Sequence, residues 1–163
     1  MQSGPSGPIG ALEAMPIAVA MRQELWLYPI VEIVHISGFV ILVGSIVVLD
    51  LRLLGLSRAL RVSVLTRHIL PWSVAAFLLI VPTGLMMFMA HASDLLTNRA
   101  FQLKLLLIML AGINAAAFHV GVYRSVARWD ESSVPPAAAR VHALASLMLW
   151  FSVLACGRLL AYL

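Results

Sequence analysis

Five histidines (His35, His68, His91, His119 and His142) and Glu32 are the residues of this chain best suited to chemistry. His35, His91, His119 and His142 fall in or at the edges of four different apolar stretches, and His68 precedes Pro71 and Trp72. In hydrocarbon such a side chain is costly and usually marks function. Neutral imidazole is a common axial ligand of haem iron. A haem between helices needs two inward histidines at similar depth, and small residues that let the flat macrocycle approach the backbone. Gly84 and Gly112 precede His91 and His119 by close to two helical turns and share their faces, while Gly38 follows His35 by about one turn. Ala115 continues the His119 face, and Ala145 and Ser146 follow His142. Glu32 stands one turn before His35 on the same face, placed to orient the ring or to accept a proton beside a quinone. The same residues have a plainer use, since small side chains are the normal means of close helix packing in membranes and a polar pair can satisfy itself.

These histidines must be positioned by helices that cross a bilayer. Of 163 residues, 62% are hydrophobic and only 11% charged, against roughly 25% charged in an average soluble domain. Four apolar runs, 25–54, 69–90, 101–122 and 141–163, each reach the roughly 20 residues a spanning helix needs, without the polar stripe of a soluble bundle. The expected fold is all-α, a single four-transmembrane-helix domain over 25–163. Residues 1–24 are expected to form a flexible Gly/Pro/Ser-rich start followed by a short interfacial amphipathic helix, with Leu12, Ile17, Met21 and Leu25 on one face.

The net charge of +4 comes from basic residues at the ends of apolar runs, which points to topology and lipid headgroups rather than nucleic acid. The first connection carries Arg52, Arg58, Arg61 and Arg67, and the third carries Arg124, Arg128 and Arg140. The opposite side has Arg22, Arg99, Lys104 and Arg158, so the positive-inside rule puts both termini outside. In that orientation His35 and His91 make an outer pair, offset by about 9 Å at 1.5 Å per residue. His119 pairs with His142 or His68 on the inner side. Arg99 and Lys104 outside, and Arg67 and Arg140 inside, are candidates to neutralise haem propionates.

A second chemistry comes from "GLMMFMAH", where Met86, Met87, Met89 and His91 crowd the end of the second run. Thioether and imidazole suit Cu(I), with Met87, His91 and His35 as ligands, although methionine is also an ordinary apolar filler. The lone Cys156 excludes an internal disulfide. No nucleophile–base pair, phosphate loop or metal-hydrolase motif is present, which favours an electron-transfer subunit over a self-sufficient enzyme.

The segments "WLYPIVEIVHISGFVILVGSIVVLDLRLLG", "LPWSVAAFLLIVPTGLMMF", "NRAFQLKLLLIMLAGINAAAFH" and "ASLMLWFSVLACGRLLAYL" resemble a set of small bacterial four-helix membrane proteins without established function. The resemblance runs over roughly Leu12–Leu163. It is carried by Glu32 and His35, Asp50-Leu51-Arg52, Pro71-Trp72, Gly84, Phe101 and Lys104, Asn114 and His119, and Gly157-Arg158. More loosely the chain is similar to cytochrome b561-type and copper-resistance D-type bundles, which share inward histidines and a lysine opening a helix. What this implies is a multi-pass protein of the bacterial inner membrane, cytochrome b-like, holding one or two b-type haems. It would exchange electrons with quinone or a periplasmic redox partner, as a subunit or homodimer. The alternatives are copper handling and a cofactor-free scaffold.

Overall fold

A computed structural model describes residues 7–57, 59–130, 134–160 and 162; Arg58 and residues 1–6 of the expected flexible start lie outside them. Every regular element among the described residues is a helix. Four are long and apolar: α3 (Leu27–Leu53), α4 (Val62–Ala90), α6 (Arg99–Val120) and α7 (Ala137–Leu159). Each is long and apolar enough to cross a membrane. They are apolar all round, so Ile33, Val40, Leu78, Met109, Ile113 and Met148 stay exposed on their outer faces, as lipid-facing positions would.

Two of these helices start a turn or more before the apolar runs do. α4 takes in Val62–His68 and α7 takes in Ala137–Arg140, segments too polar to stand out by hydropathy. Alanine and arginine favour helix without being read as membrane, and Pro136 sets the start of α7. α6 opens where the Asn98 side chain accepts from the N–H groups of Ala100 and Phe101, at 2.8 and 3.2 Å. α3 ends in a left-handed turn at Gly55 (φ 106°), with Leu56 N–H donating to the Leu51 carbonyl and Gly55 N–H to Arg52. That double bond at a glycine is the Schellman arrangement.

The N-terminal segment is not one interfacial helix but two, α1 (Pro8–Glu13) and α2 (Pro16–Gln23), each opening on a proline. Their inward face packs on protein: Ala18 and Met21 are buried, Met21 among Val31, Ala90, Met86 and Met87. Arg22 ties the segment down by donating to the carbonyls of Ala90 (2.9 Å) and Glu13 (2.6 Å). The Glu13 carboxylate accepts from the N–H and hydroxyl of Ser93, at 2.7 and 2.6 Å, on the short helix α5 (Ala92–Thr97).

The long helices pack in the order α4–α3–α7–α6. The fourth side of the bundle is different. The backbones of α4 and α6 stay apart; near the chain termini the gap is spanned by the stacked rings of Phe88 and Phe101, with centroids 5.8 Å apart. The opposite end is floored by a 3-10 segment, Val122–Arg128, and by a core of Leu53, Val62, Phe118, Ala139 and Ala143.

Candidate functional site

The termini half of the bundle is closed, and His35 helps to close it. α4 continues through Pro82, which has no N–H for the Leu78 carbonyl. His35 Nδ1 lies 3.2 Å from the Ile80 carbonyl and 3.0 Å from Thr83 Oγ1 in this same turn. Thr83 in turn donates to the Leu79 carbonyl at 2.7 Å. A carbonyl only accepts, so Nδ1 carries the proton, and His35 ties α3 to the turn of α4 that holds Pro82 through the Ile80 carbonyl and the Thr83 hydroxyl rather than through the Leu78 carbonyl that the proline leaves open. The ring rests on Gly84: a Cβ there would come within 2.9 Å of its Cε1. Gly38 is occupied in the same way by Ile80. The glycines at 38 and 84 therefore admit neighbouring side chains rather than a macrocycle.

His91 is not brought to His35. It ends α4, exposed, with its ring edge-on to Tyr28 at 5.8 Å. It lies about 10 Å along the axis from Gly84, where the His35 ring sits. Glu32 is exposed on α3, and His35 finds its hydrogen-bond partners on α4 instead. Met86 and Met87 are spent on packing around Met21 and Val31. Among the described residues no three His, Cys, Asp or Glu side chains are grouped to hold a metal ion. Lys104 is half-buried on α6 and reaches over Gly157 of α7, 3.8 Å from where a Cβ would stand.

The other half of the bundle is open. A cavity of about 320 Å³ lies among α3, α4, α6 and α7, on the side where α4 and α6 do not meet. Its wall is mostly aliphatic and aromatic, with Phe77, Phe118 and Trp150 among the rings. Into it come Asp50, Thr66, Asn114, His119, His142 and Ser146. Asn114 and His142 are locked together: His142 Nδ1–H donates to Asn114 Oδ1 at 2.8 Å, and Asn114 Nδ2 donates to the His142 carbonyl at 3.0 Å. In the neutral ring this tautomer turns Nε2 of His142 into the acceptor. His119 donates from Nδ1 to the Ala115 carbonyl at 2.8 Å, and its Nε2 is buried with no partner. Asp50 Oδ2 and Thr66 Oγ1 are likewise buried and unpartnered, although Ser146 reaches the Asp50 carboxyl group. Gly112 faces open space, with nothing within 4 Å of a Cβ built on it.

The donor sets differ in how they suit a haem. At the termini end the cradle is filled by side chains and the two histidines are apart, so no haem fits between His35 and His91. At the other end His119 and His142 line one space with their Nε2 lone pairs available, and Gly112 is open to it. Their rings also both contact Phe118, at 5.4 and 5.9 Å, which takes up part of the room beside them. His68 is exposed on the first turns of α4, bonded to its own Val64 carbonyl, and does not line this cavity.

Sequence reasoning gave His119 and His142 a common level but missed Asp50, Thr66 and Asn114 as companions. Asp50 reads as an interfacial residue at a helix end, and Thr66 lies ahead of the apolar run. The available signal was Asp50 itself, three residues before the helix end and on the same face as Leu42, Ile46 and Leu53. No curated protein and no solved structure matches the chain. Residues 27–163, which comprise all four long helices and every wall of the cavity, match the family of unknown function DUF6644, and the chain belongs to that family.

Proposed function

We propose that this protein is a redox subunit of the bacterial inner membrane whose cavity takes the headgroup of a quinone-class carrier. One observation carries the reading: a carboxylate oxygen, an imidazole nitrogen and a hydroxyl, all buried and unpartnered, line one largely apolar cavity. Unpaired buried polar atoms each cost about 1–3 kcal/mol, so such a set calls for a ligand. A quinone supplies two carbonyl oxygens that accept hydrogen bonds when oxidised and two hydroxyls that donate them when reduced. Thr66 suits the first state; Asp50 and the unprotonated His119 Nε2 suit the second. Reduction consumes two electrons and two protons. The acid and the imidazole are placed to pass the protons, and a separate redox subunit passes the electrons. The gap between α4 and α6 gives a lipid-soluble molecule a sideways entrance.

Arg52, Arg61, Arg67, Arg124, Arg128 and Arg140 all lie at the cavity's end of the bundle. By the positive-inside rule that end is cytoplasmic and both termini are outside. A b-type haem on His119 or His142 is the second reading, favoured by the free Nε2 atoms and the open Gly112. The test is to purify the protein from quinone- and haem-replete membranes, extract it with solvent and record a reduced-minus-oxidised spectrum. Co-purified quinone with no α band supports the first reading, and an α band lost on His119→Ala supports the second. A colourless preparation free of both contradicts the redox function.

A further inference from the structure

A second cavity, about 420 Å³, sits at the floor of the bundle and is lined by Ser63, Thr66, Arg67, Leu70 and Tyr123. Thr66 and Leu70 also line the first cavity, so the two share a wall. We infer that this second cavity is a headgroup site for an anionic phospholipid, with the phosphate on Arg67, Thr66 and Tyr123 and the chains running past Leu70 along the mouth of the α4–α6 gap.

Three observations lead there. First is depth. α4 has 29 residues, about 43 Å at 1.5 Å per residue, against a hydrocarbon thickness of about 30 Å. Its first turns therefore stand at headgroup level, and exposed Trp72 and half-buried Trp129 fit the aromatic belt beside them. Second is charge. Arg67 is exposed and makes no hydrogen bond or ion pair among the described residues, and a guanidinium is the side chain best shaped for phosphate. Third is the buried hydroxyl of Thr66. At 3% exposure, with no partner for Oγ1, it is a polar atom held ready on the wall between the two spaces.

The acidic residue bonded to the wall of this second cavity is accounted for. Asp130 accepts from the Ser63 N–H at 2.9 Å and from the Ser63 hydroxyl, and Arg61 lies beside it. Burial alone raises its carboxyl, but the Ser63 hydrogen bonds win and hold it below the usual carboxylate range. Ser63 is thus committed to Asp130 and forms only the wall, leaving Arg67, Thr66 and Tyr123 for the phosphate. A soluble anion would not use Leu70 and the apolar mouth; a lipid uses both.

The experiment is native mass spectrometry of the whole chain released from bilayers of equal phosphatidylglycerol and phosphatidylcholine. Wild type is expected to keep one phosphatidylglycerol in preference to phosphatidylcholine. Arg67→Gln and Arg67→Ala are expected to weaken that retention at least about fivefold, and Tyr123→Phe to weaken it less. Arg124→Ala, at the same end but outside the cavity, should leave it unchanged. Equal retention of both lipids by wild type overturns the inference. So does equal loss in the Arg67 and Arg124 variants, or displacement of the lipid by inorganic phosphate. No quinone or haem enters the readout, so the redox function is tested separately; the Thr66 hydroxyl stands on the shared wall and donates its one proton to the ligand of one cavity or the other.

Discussion

At the termini end of the bundle His35 is bonded into the turn around Pro82, Gly84 is filled by its ring, and Glu13, Arg22 and Ser93 fasten the N-terminal helices over the top. At the opposite end His119, Asp50 and Thr66 each leave a buried polar atom unused, and Gly112 faces empty space. The two halves contain similar residue types: histidine, hydroxyl, glycine and an acid. What separates them is whether a neighbouring helix supplies the partner. Where α3 meets α4 along its length, polar groups satisfy each other and become structure. Where α4 and α6 fail to meet, the same kinds of groups are left for something that is not the protein.

The glycines offer the strongest way to break this comparison. Gly84→Leu is expected to drive His35 from its turn and prevent stable folding, and Gly84→Ala to cost about 1–3 kcal/mol by overpacking. Gly112→Ala, built into open space, should cost nothing measurable. Thermal unfolding of the purified variants checks this, and equal losses at the two glycines would erase the distinction. Next in size, Asn114→Ala should lose about 1–3 kcal/mol, because it leaves the His142 Nδ1–H without its acceptor, and Thr83→Ala should lose less, because His35 Nδ1 keeps the Ile80 carbonyl. Thr66→Val should instead be neutral or stabilising, since its hydroxyl has no partner to lose, while weakening any ligand of the cavity.

The smallest effect concerns the fastening at the top. The Ser93 hydroxyl, and then its N–H, hold the Glu13 carboxyl below its ordinary value of 4.5. A carboxyl lowered in the folded state stabilises it above the ordinary value and loses that contribution as pH falls through the lowered one. The protection of the Ser93 amide, relative to its intrinsic exchange rate at each pH, should therefore hold at neutral pH and fall as pH drops through the lowered Glu13 value, below 4.5, and Glu13→Gln should show weakened protection at every pH. Protection independent of pH in wild type would remove Glu13 from the account.

The four spans were legible because hydrophobic runs of spanning length have one physical solution. The additional turns of α4 and α7 were not, because Val62–His68 and Ala137–Arg140 are helical by propensity and contact rather than by hydropathy. The split of the N-terminal segment at Pro16 follows from proline's preference for a first turn, and docking of that segment on protein depends on Arg22 meeting Ala90, far away in sequence. Among the site residues, depth alone placed His119 near His142. It also paired His35 with His91, because depth says nothing about rotation: His35 turns onto Thr83 and Gly84, and His91 remains outside at the helix end. Asp50 could be read from the apolar face it shares, but Thr66 gains its importance from the gap between α4 and α6, and a missing contact leaves no mark on either helix's own sequence.

The most direct test of the central claim uses Trp150, which lines the cavity. In a background with Trp26, Trp72 and Trp129 changed to Phe, a short-chain benzoquinone analogue is titrated while Trp150 fluorescence is followed. The account predicts saturable quenching, weakened about tenfold or more by Asp50→Asn or His119→Ala and unchanged by His91→Ala. Quenching that never saturates, or an affinity indifferent to Asp50 and His119, would contradict it.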